Sequence, residues 1–336
     1  MVGCNKNRKI MNRVKRKYIY WKDILERRHV GLQATKGHQV RIYNWSRVYS
    51  PDLWLVNFIE KRGLLIGKPK LKIGLYSIFA PDWLTVFDDC DLRIFVAREN
   101  LHKPGMKRWE HQFLNDNRFQ LSIGFDNLEH DQYLRIPFWM TWNTFQPTDT
   151  YKEIKERVLH MNNPLNHSYD NRKFACFLCS HSDPGRQHLY DRLSSIDRVD
   201  CDGRGMHNND TLRMIHKDNK LSYLRDYRFN LTPENSNDPY YCTEKLMEAF
   251  QAGTVPIYFG CNNNPEPDVI NSKAIVFIMQ AEIPENQLKL ISELNSSKDS
   301  YMEFATQPCL LPDAENVIWG YYEQLEDKLK EIIKNV

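Results

Sequence analysis

YRFNLTPENSNDPYYCTEKLMEAFQAGTVPIYFG, residues 227–260, contains two apolar runs separated by a helical pattern. The runs YRFNLTP and VPIYFG have the length and composition of buried strands. From about Cys242 to Ala252 apolar residues recur at helical spacing, and Gly253 is a typical helix stop. A strand, a helix and a second strand in this order form a crossover between parallel strands. The stretch therefore predicts part of a parallel sheet covered by helices.

The same alternation extends on both sides of this stretch. KFACFLCS (173–180) has the pattern of a buried strand, a helix is predicted from Pro184 to Ile196, and KAIVFI (273–278) supplies another strand. Alternating strands and helices are typical of an α/β fold with a parallel sheet. The second half of the chain is therefore predicted to form a Rossmann-like domain.

The first half of the chain also contains apolar runs of strand length. They are LKIGLYSIF (72–80), LRIFVA (92–97), FQLSIGF (119–125) and YLRIPFWM (133–140). The polar passage 141–173 separates them from the second half, and 336 residues at roughly 150 per domain suggest two domains. We predict an N-terminal lobe at 1–150, a second lobe at 151–312, and a C-terminal amphipathic helix at 313–336 that packs on the protein.

The basic residues of the chain are unevenly distributed. The net charge is +3, yet residues 1–18 hold seven Lys/Arg and no acid, so the remainder is net acidic. Such a tail predicts either peripheral contact with an anionic membrane surface or a solvated, partly ordered arm. The mixed-sign remainder has no zinc-finger or RNA-binding signature, which excludes nucleic-acid binding as the main function.

The sequence contains neither a long apolar segment nor an obvious disulfide framework. No window approaches the roughly 18 apolar residues of a membrane-spanning helix, and the N-terminus has no signal-peptide pattern. We therefore expect a cytoplasmic protein with reduced cysteines. Cys176 and Cys179 have zinc-ligand spacing, but residues three apart on a strand point to opposite faces, and no second pair completes a site.

Two predicted helices carry a cation where cations are disfavoured. Arg186 follows the plausible N-cap Asp183 and first-turn Pro184, and Lys245 lies in the first turn of the helix before Gly253. Helix N-termini bear positive partial charge, so a cation there is unfavourable unless an anion shares the site. Both helices follow strands, at the sheet edge where α/β proteins bind ligands. A diphosphate between them would satisfy both cations; the alternative is that each points into water.

Several segments resemble the α-1,3-fucosyltransferases, glycosyltransferase family 10. Residues 227–260 resemble the family signature YKFxLxFENSxxxxYxTEKLxxAxxAGxVPIxxG, and VDCDGRG (199–205) is similar to its VDxxGRG segment. FLCS with the DPGRQHLYDRL helix, AREN (97–100) and IGFDNLEHDQYLRIPFW (123–139) resemble further family segments. The resemblance covers roughly residues 92–280. Arg98 and Pro233 depart from the pattern, which has Gly and an aromatic residue at these positions.

The resemblance implies a GT-B-like fold with two Rossmann-like lobes and the active site in the cleft between them. It also implies an inverting transferase that moves L-fucose from GDP-fucose to an acceptor glycan, with no cofactor required and Mn²⁺ or Mg²⁺ at most stimulatory. An enzyme of this type would build a surface glycan in a bacterial or viral context. By motif position, Arg186 and Lys245 would contact the diphosphate, Asn235, Tyr241 and Glu244 the nucleoside and sugar, and Glu99 would be the general base.

Two other functions are compatible with parts of the sequence. Asp200 and Asp202, or Asp89 and Asp91, form Asp-x-Asp pairs that could hold Mg²⁺ or Mn²⁺ in a metal-dependent GT-A transferase. A sugar-binding module without catalysis would also suit the first lobe, which holds seven of the eight tryptophans. Most of those tryptophans are expected in the core, with one or two in the cleft.

Overall fold

The computed structural model describes residues 2–43, 53–79, 88–106, 109–142 and 144–336, with the backbone alone for 2–13. The chain divides into two compact units. The first unit comprises Met1–Gly124, Leu128–Arg135 and Gln324–Val336, and the second comprises Phe125–Asn127 and Ile136–Glu323. This division differs from the predicted boundary at 150, because 136–150 lie with the second unit and the end of the C-terminal helix lies with the first.

The first unit contains a five-stranded parallel sheet. In sheet order its strands are β1 (Val40–Ile42), β2 (Ile73–Tyr76), β3 (Leu92–Val96), β4 (Leu121–Gly124) and β5 (Tyr133–Arg135). Leu75, Ile94 and Leu121 stand side by side across the sheet and are fully buried. Strands buried on both faces read as continuous apolar runs, which is why the sequence revealed β2, β3 and β4.

Three helical segments belong to the first unit, two of them near the ends of the chain. They are α1 (Val2–Ala34), α2 (Trp54–Lys61) and the last part of α10 (Ala314–Lys334). Residues 2–18 of the basic tail lie within α1, so this part of the tail is helical rather than a partly ordered arm, in line with the helix propensity of Lys and Arg. None of the described helices is long and apolar enough to cross a membrane.

The second unit contains another five-stranded parallel sheet. Its order is β10 (Val276–Phe277), β9 (Val255–Phe259), β8 (Tyr227–Pro233), β6 (Lys173–Cys176) and β7 (Val199–Asp200). Around it lie α3 (Tyr151–Met161), α4 (Pro184–Ser194), α5 (Thr211–Met214), α6 (Lys220–Leu224), α7 (Glu244–Ala252), α8 (Glu285–Ser296), α9 (Lys298–Ala305) and the start of α10. The predicted Rossmann-like alternation is confirmed.

Several predicted elements differ in extent from the observed ones. The run at 133–140 forms a strand only over Tyr133–Arg135, because Pro137 cannot donate to a ladder and the residues after it turn. Of the first predicted strand, 72–80, the structure describes residues 72–79, and within these the strand spans Ile73–Tyr76. The helix expected from Cys242 begins at Glu244. Strands β1 and β7, of three and two residues, were not predicted.

The C-terminal amphipathic helix packs on the protein as predicted. Its apolar face is buried along its length, including Ile318, Leu325 and Leu329. In the second unit Tyr322 donates a hydrogen bond from its hydroxyl to the carbonyl of Gln146 at 2.8 Å. The burial of this face in both units explains why the helix has the pattern of a core element.

Candidate functional site

Two loops meet at the carboxyl edge of the second sheet. One runs from β6 to the start of α4, and the other runs from β8 through residues 234–243 to the start of α7. Because β6 and β8 are adjacent and parallel, both helix N-termini open on the same edge. The predicted convergence of the Arg186 and Lys245 helices is therefore built into the topology.

Arg186 lies in the first turn of α4, as predicted. The side chain of Asp183 accepts a hydrogen bond from the backbone N–H of Arg186 at 3.0 Å, which confirms the predicted N-cap. The Arg186 guanidinium donates to Oδ1 of Asn235 at 2.7 Å and to the carbonyl of His181 at 2.8 Å. Two predicted donor residues, Arg186 and Asn235, thus lie in direct contact.

Lys245 is held by a buried carboxylate. Its Nζ donates to Oε2 of Glu234 at 2.7 Å and to Oγ1 of Thr243 at 2.9 Å, and the side chain of Glu234 is completely buried. Burial alone would lower the pKa of Lys245, but the carboxylates of Glu234 and Glu244 outweigh burial and raise it. Lys245 therefore stays charged in the folded protein.

Glu234 organises the start of α7 beyond its pairing with Lys245. Its Oε1 accepts hydrogen bonds from the backbone N–H of Thr243 at 2.8 Å and from the Thr243 hydroxyl at 2.9 Å. The Thr243 hydroxyl makes no capping bond to the α7 backbone, because it is engaged by Glu234 and Lys245. Sequence reasoning missed Glu234; its signal was an acid directly after a buried central strand, at the same edge as an unexplained cation.

Glu244 is the first residue of α7, where a carboxylate complements the positive helix end. Burial would raise the pKa of Glu244, but the ammonium groups of Lys245 and Lys220 outweigh it and lower the pKa. One helical turn later, Glu248 pairs with Lys220, and its pKa is raised by burial despite this pairing. Lys245 of α7 and Lys220 of α6 therefore offset the carboxylates at the start of α7, and Glu244 supports the charged state of Lys245.

Tyr241 is buried in an aromatic cluster just before α7. Its ring packs edge-on against Phe125 at 5.3 Å and Phe138 at 5.8 Å between centroids. The preceding Tyr240 has a φ of +63°, an uncommon conformation for a bulky residue that is typical of constrained functional segments. The loop that carries Asn235 and Tyr241 is thus fixed by packing at its second half.

The segment VDCDGRG packs closely against the approach to α4. A Cβ at Gly203 would lie 2.3 Å from the carbonyl oxygen of Cys179, and one at Gly205 would lie 2.4 Å from the carbonyl carbon of His181. Only glycine permits these approaches. Because the carbonyl of His181 accepts from Arg186, the glycines help to fix the Arg186 side chain.

The Asp-x-Asp pair at Asp200 and Asp202 is divided between separate partners. The Asp200 carboxylate is buried and bound by cations and a hydroxyl, namely Lys173, Arg198 and Tyr227. The Asp202 carboxylate accepts from the backbone N–H of Leu212 at 2.8 Å. Two carboxylates with different partners do not form a shared metal site.

The other Asp-x-Asp pair is also engaged. Asp89 pairs with the ammonium group of Lys72, and Asp91 accepts from the backbone N–H of Lys72 at 2.8 Å. Among the described residues, Asp202, His207 and Asp210 are the one group whose ligand atoms lie within 4.8 Å of each other. His207 and Asp210 are exposed, so the group has the character of a polar surface cluster.

Glu99, the predicted base, lies in the first unit three residues after β3. Its Oε1 accepts from the backbone N–H of Asn100 at 2.9 Å and from Nζ of Lys103 at 3.0 Å. The contact with Lys103 is an ion pair between neighbouring turns of the chain, four positions apart. About a quarter of the Glu99 side chain is exposed, so the carboxylate is fixed yet reachable by solvent.

The tryptophans are mainly structural, as predicted. Trp54, Trp109 and Trp139 are buried, whereas Trp21 and Trp142 are each 38% exposed. Trp45 and Trp83, also named by the sequence analysis, lie outside the described residues.

Comparison with known proteins agrees with the sequence resemblance. A sequence model of the family described as glycosyltransferase family 10 (fucosyltransferase) C-term matches residues 169–306. The α-(1,3)-fucosyltransferase FucT of Helicobacter pylori is 30% identical over 236 residues, covering 62% of this chain and 48% of that protein. GDP-fucose protein O-fucosyltransferase 3 of Xenopus laevis is 30% identical over 112 residues, covering 32% and 24% respectively. The chain thus spans about half or less of these curated relatives.

Solved structures share the fold. A crystal structure of α1,3-fucosyltransferase aligns with a TM-score of 0.51 at 22% identity, covering 76% of this chain and 78% of the other. A structure of α1,3-fucosyltransferase with GDP-fucose aligns with a TM-score of 0.50 at 23% identity, covering 76% and 77%. This likeness and the two parallel sheets confirm the predicted GT-B-type fold class. Residues 169–306 of this chain thus match the C-terminal part of glycosyltransferase family 10, the fucosyltransferases, in agreement with the resemblance seen in the sequence.

Proposed function

We propose that the protein is an inverting glycosyltransferase that transfers L-fucose from GDP-fucose to a hydroxyl of an acceptor glycan, forming an α-1,3 linkage to a GlcNAc- or Glc-type residue. The observation that carries the proposal is the pair of cations, Arg186 and Lys245, in the first turns of two helices at one sheet edge within the family domain. Relatives named α-(1,3)-fucosyltransferases, and a fold neighbour whose crystal structure contains GDP-fucose, support this donor and linkage.

The chemistry assigned to these cations is stabilisation of the leaving group. As the bond from fucose to the β-phosphate breaks, negative charge accumulates on GDP, and preorganised cations and helix N-termini lower the energy of that state. Two of the five N–H groups of Arg186 point to Asn235 and His181, which orients the guanidinium for the diphosphate. Tyr241, Glu244 and Asn235 complete the proposed donor site as contacts to the nucleoside and sugar.

Glu99 is proposed as the general base. Inversion requires the acceptor hydroxyl to attack the anomeric carbon opposite GDP, and a sugar hydroxyl at neutral pH must lose its proton during the attack. A carboxylate that is held by Asn100 and Lys103 and remains partly exposed is suited to accept this proton. The proton is then held by the carboxyl group of Glu99, while the negative charge departs with GDP.

No divalent ion is assigned a step in this proposal. Cations and helix ends supply positive charge at the diphosphate, and the carboxylates of both Asp-x-Asp pairs are held by other side chains or backbone groups. Stimulation by Mn²⁺ or Mg²⁺ is compatible with it.

A donor screen tests the proposal directly. The protein is incubated with an acceptor mixture and GDP-fucose, GDP-mannose or UDP-sugars, and products are followed by mass and by release of the nucleotide. We expect transfer of one deoxyhexose from GDP-fucose alone. Binding of glycans without GDP release would instead identify a sugar-binding module, and transfer from a UDP-sugar would overturn the assigned donor.

A substitution at Glu99 tests the proposed base. Glu99→Gln keeps size and hydrogen bonding while removing proton acceptance, so kcat should fall by roughly 10²–10⁴ with donor affinity little changed. Glu129→Gln, at an exposed position of the same unit, is the matched control and should remain active. Turnover of the Glu99 variant within a few-fold of wild type would assign the base elsewhere.

A further inference from the structure

The loop that follows β7 has a constrained backbone. Asp202 and His207 pair as an isolated antiparallel bridge, and the glycines between them have no room for a side chain. The side-chain amide of Asn208 accepts a hydrogen bond from the backbone N–H of Cys201 at 2.7 Å and donates one to the carbonyl of Val199 at 2.8 Å. The two ends of the loop are therefore held together, and its side chains start from fixed positions.

His207 lies between two carboxylates of this loop. Its Nδ1 is 3.8 Å from Oδ1 of Asp202, and its Nε2 is 3.1 Å from Oδ1 of Asp210. A neutral imidazole has one N–H and one lone pair, so it can donate a hydrogen bond to only one of these carboxylates. The shorter distance is that of a hydrogen bond from Nε2–H to Asp210, which leaves the lone pair of Nδ1 facing Asp202. Two acceptors that face each other require a cation between them.

Asp202 has a free oxygen for such a cation. Its side chain is 3% exposed, and Oδ2 accepts hydrogen bonds from the backbone N–H of Leu212 at 2.8 Å and from the Thr211 hydroxyl at 3.2 Å. Within the described part of the chain, no group donates a hydrogen bond to Oδ1. A buried carboxylate oxygen without a donor retains its demand for a positive partner. Oδ2 thus fixes the carboxylate in place, and Oδ1 is available as a ligand for an ion.

The distances around Oδ1 of Asp202 and Nδ1 of His207 match a metal site. Bonds of about 2.1 Å to one ion place two ligand atoms about 3–4 Å apart, and the observed separation is 3.8 Å. A histidine that ligates a metal commonly donates its other ring N–H to a carboxylate, and Asp210 lies at that position. The ligand-type atoms of all three side chains lie within 4.8 Å of one another. The side chain of His207 is 52% exposed, so an ion reaches it from solvent and keeps water in its remaining positions.

We propose that Asp202 and His207 bind a divalent transition-metal ion through Oδ1 and Nδ1, with Asp210 as the positioning carboxylate on Nε2–H. An imidazole ligand favours Zn²⁺ and other late first-row ions over Mg²⁺ and Ca²⁺, which prefer oxygen ligands. The ion joins the two ends of the loop whose glycines pack against Cys179 and His181. Its binding does not depend on fucosyl transfer.

The site has a consequence for the donor edge, and this consequence rests on the proposed function. The carbonyl of His181, which lies against Gly205, accepts a hydrogen bond from Arg186. An ion that stiffens the loop therefore also steadies the Arg186 guanidinium. Stimulation of fucosyl transfer without a strict metal requirement is the effect expected of such an ion.

Calorimetric titration of the metal-free full chain with Zn²⁺ tests the site. Neither donor nor acceptor sugar is present, so the result is independent of whether the protein transfers fucose. We expect one saturable binding event, which His207→Ala removes and Asp210→Asn weakens by about 10- to 100-fold. Titration with Mg²⁺ should show little binding. His188→Ala, at an exposed histidine of α4, is the matched control and should bind like wild type.

Urea denaturation separates loss of the ion from loss of the fold. Without metal, His207→Ala and Asp210→Asn should unfold like wild type, since both side chains are more than half exposed. Zn²⁺ should raise the urea midpoint of wild type and of His188→Ala but not of His207→Ala. Absence of saturable binding to wild type, or binding that His207→Ala leaves unchanged, would overturn the proposal. Nitrogen-15 shifts that show both nitrogens of the His207 ring protonated in the presence of Zn²⁺ would overturn it as well.

Discussion

The helices α4 and α7 both carry a cation in the first turn, but they hold it differently. Arg186 on α4 contacts neutral acceptors at 2.7 and 2.8 Å, with the Asp183 carboxylate at 3.6 Å, on a helix whose buried residues are Leu189 and Leu193. Lys245 on α7 is paired with the fully buried Glu234, on a helix buried along most of its length. Both cations lie in the first turn of a helix, but only the charge of Lys245 is balanced by a buried carboxylate.

Because their charge balance differs, we expect the two cations to contribute differently to catalysis and to stability. In the proposed donor site, positive charge for the diphosphate would come mainly from Arg186, because the charge of Lys245 is already balanced by the Glu234 carboxylate. Lys245 supplies N–H donors at a fixed place and stabilises the fold around Glu234. Loss of Arg186 should therefore damage catalysis with little effect on folding, and loss of Lys245 should damage both.

The largest effect is expected on the free energy of unfolding when Lys245 is replaced. Lys245→Ala leaves the Glu234 carboxylate buried without its cation, so the free energy of unfolding should fall by about 3–5 kcal/mol. Urea denaturation measures the change. The double variant Glu234→Gln with Lys245→Met should recover most of it, and Lys298→Ala, at an exposed ion pair, is the control. A Lys245→Ala protein as stable as wild type would contradict a buried pair.

On the Arg186 side, the largest expected change is in activity. Arg186→Ala should lower kcat/KM for fucosyl transfer by about 30- to 1,000-fold, about 2–4 kcal/mol of transition-state stabilisation, with unfolding little changed. Arg192→Ala on the same helix, paired with Glu285 away from the sheet edge, is the matched control. Near-normal turnover of the Arg186 variant would remove the proposed diphosphate site.

A smaller effect is expected on the pH dependence of stability, through His167 at the C-terminal end of α7. His167 contacts the backbone of Gly253, and burial, with the nearby Arg172 charge, lowers its pKa to about 4. The unfolded chain binds this proton near pH 6.5, so stability should fall as pH drops from about 6.5 to 4. In His167→Asn this fall should shrink by about 2 kcal/mol in urea titrations at pH 7 and 4.5. The exposed His188→Asn should retain the wild-type slope, and an unchanged slope in His167→Asn would refute the assignment.

The smallest effect is expected on removal of divalent metal. If cations and helix ends neutralise the diphosphate, fucosyl transfer should largely survive EDTA. If EDTA abolished fucosyl transfer and Mn²⁺ or Mg²⁺ restored it, a bound metal ion, and not the two helix N-termini with their cations, would neutralise the diphosphate. Asp202→Asn would then separate the carboxylate cluster of Asp202, His207 and Asp210 from other metal positions.

The second sheet could be predicted because its elements are defined locally. Val255–Phe259 is apolar throughout and fully buried, Asp183 and Pro184 mark a helix start, and Gly253 ends α7 with a φ of +65°. Each feature depends on residues within one or two turns. The helix positions of Arg186 and Lys245 followed from the same local signals.

Features that depend on distant partners could not be predicted. Val40–Ile42 is a strand only because β2 lies beside it, and three residues carry no periodicity of their own. Glu234 and Lys245 meet across eleven positions of sequence; the acid after β8 was a candidate partner, but local pattern alone does not show which residues pair. Residues 2–18 have the composition of a tail, yet they lie in a 33-residue helix whose C-terminal end is fixed by packing on β1.

Strand length in both sheets has a consequence for solubility during synthesis and folding. The outermost strands of the described sheets, β1 and β5 in one and β10 and β7 in the other, have only two or three residues, whereas the inner strands have four to seven. Parallel sheets form slowly because their pairings are non-local, and exposed long edges recruit other chains into aggregates. Edges this short offer an incoming strand few backbone groups to pair with, so the interior strands Tyr227–Pro233 and Val255–Phe259 are shielded from templating once their neighbours have docked.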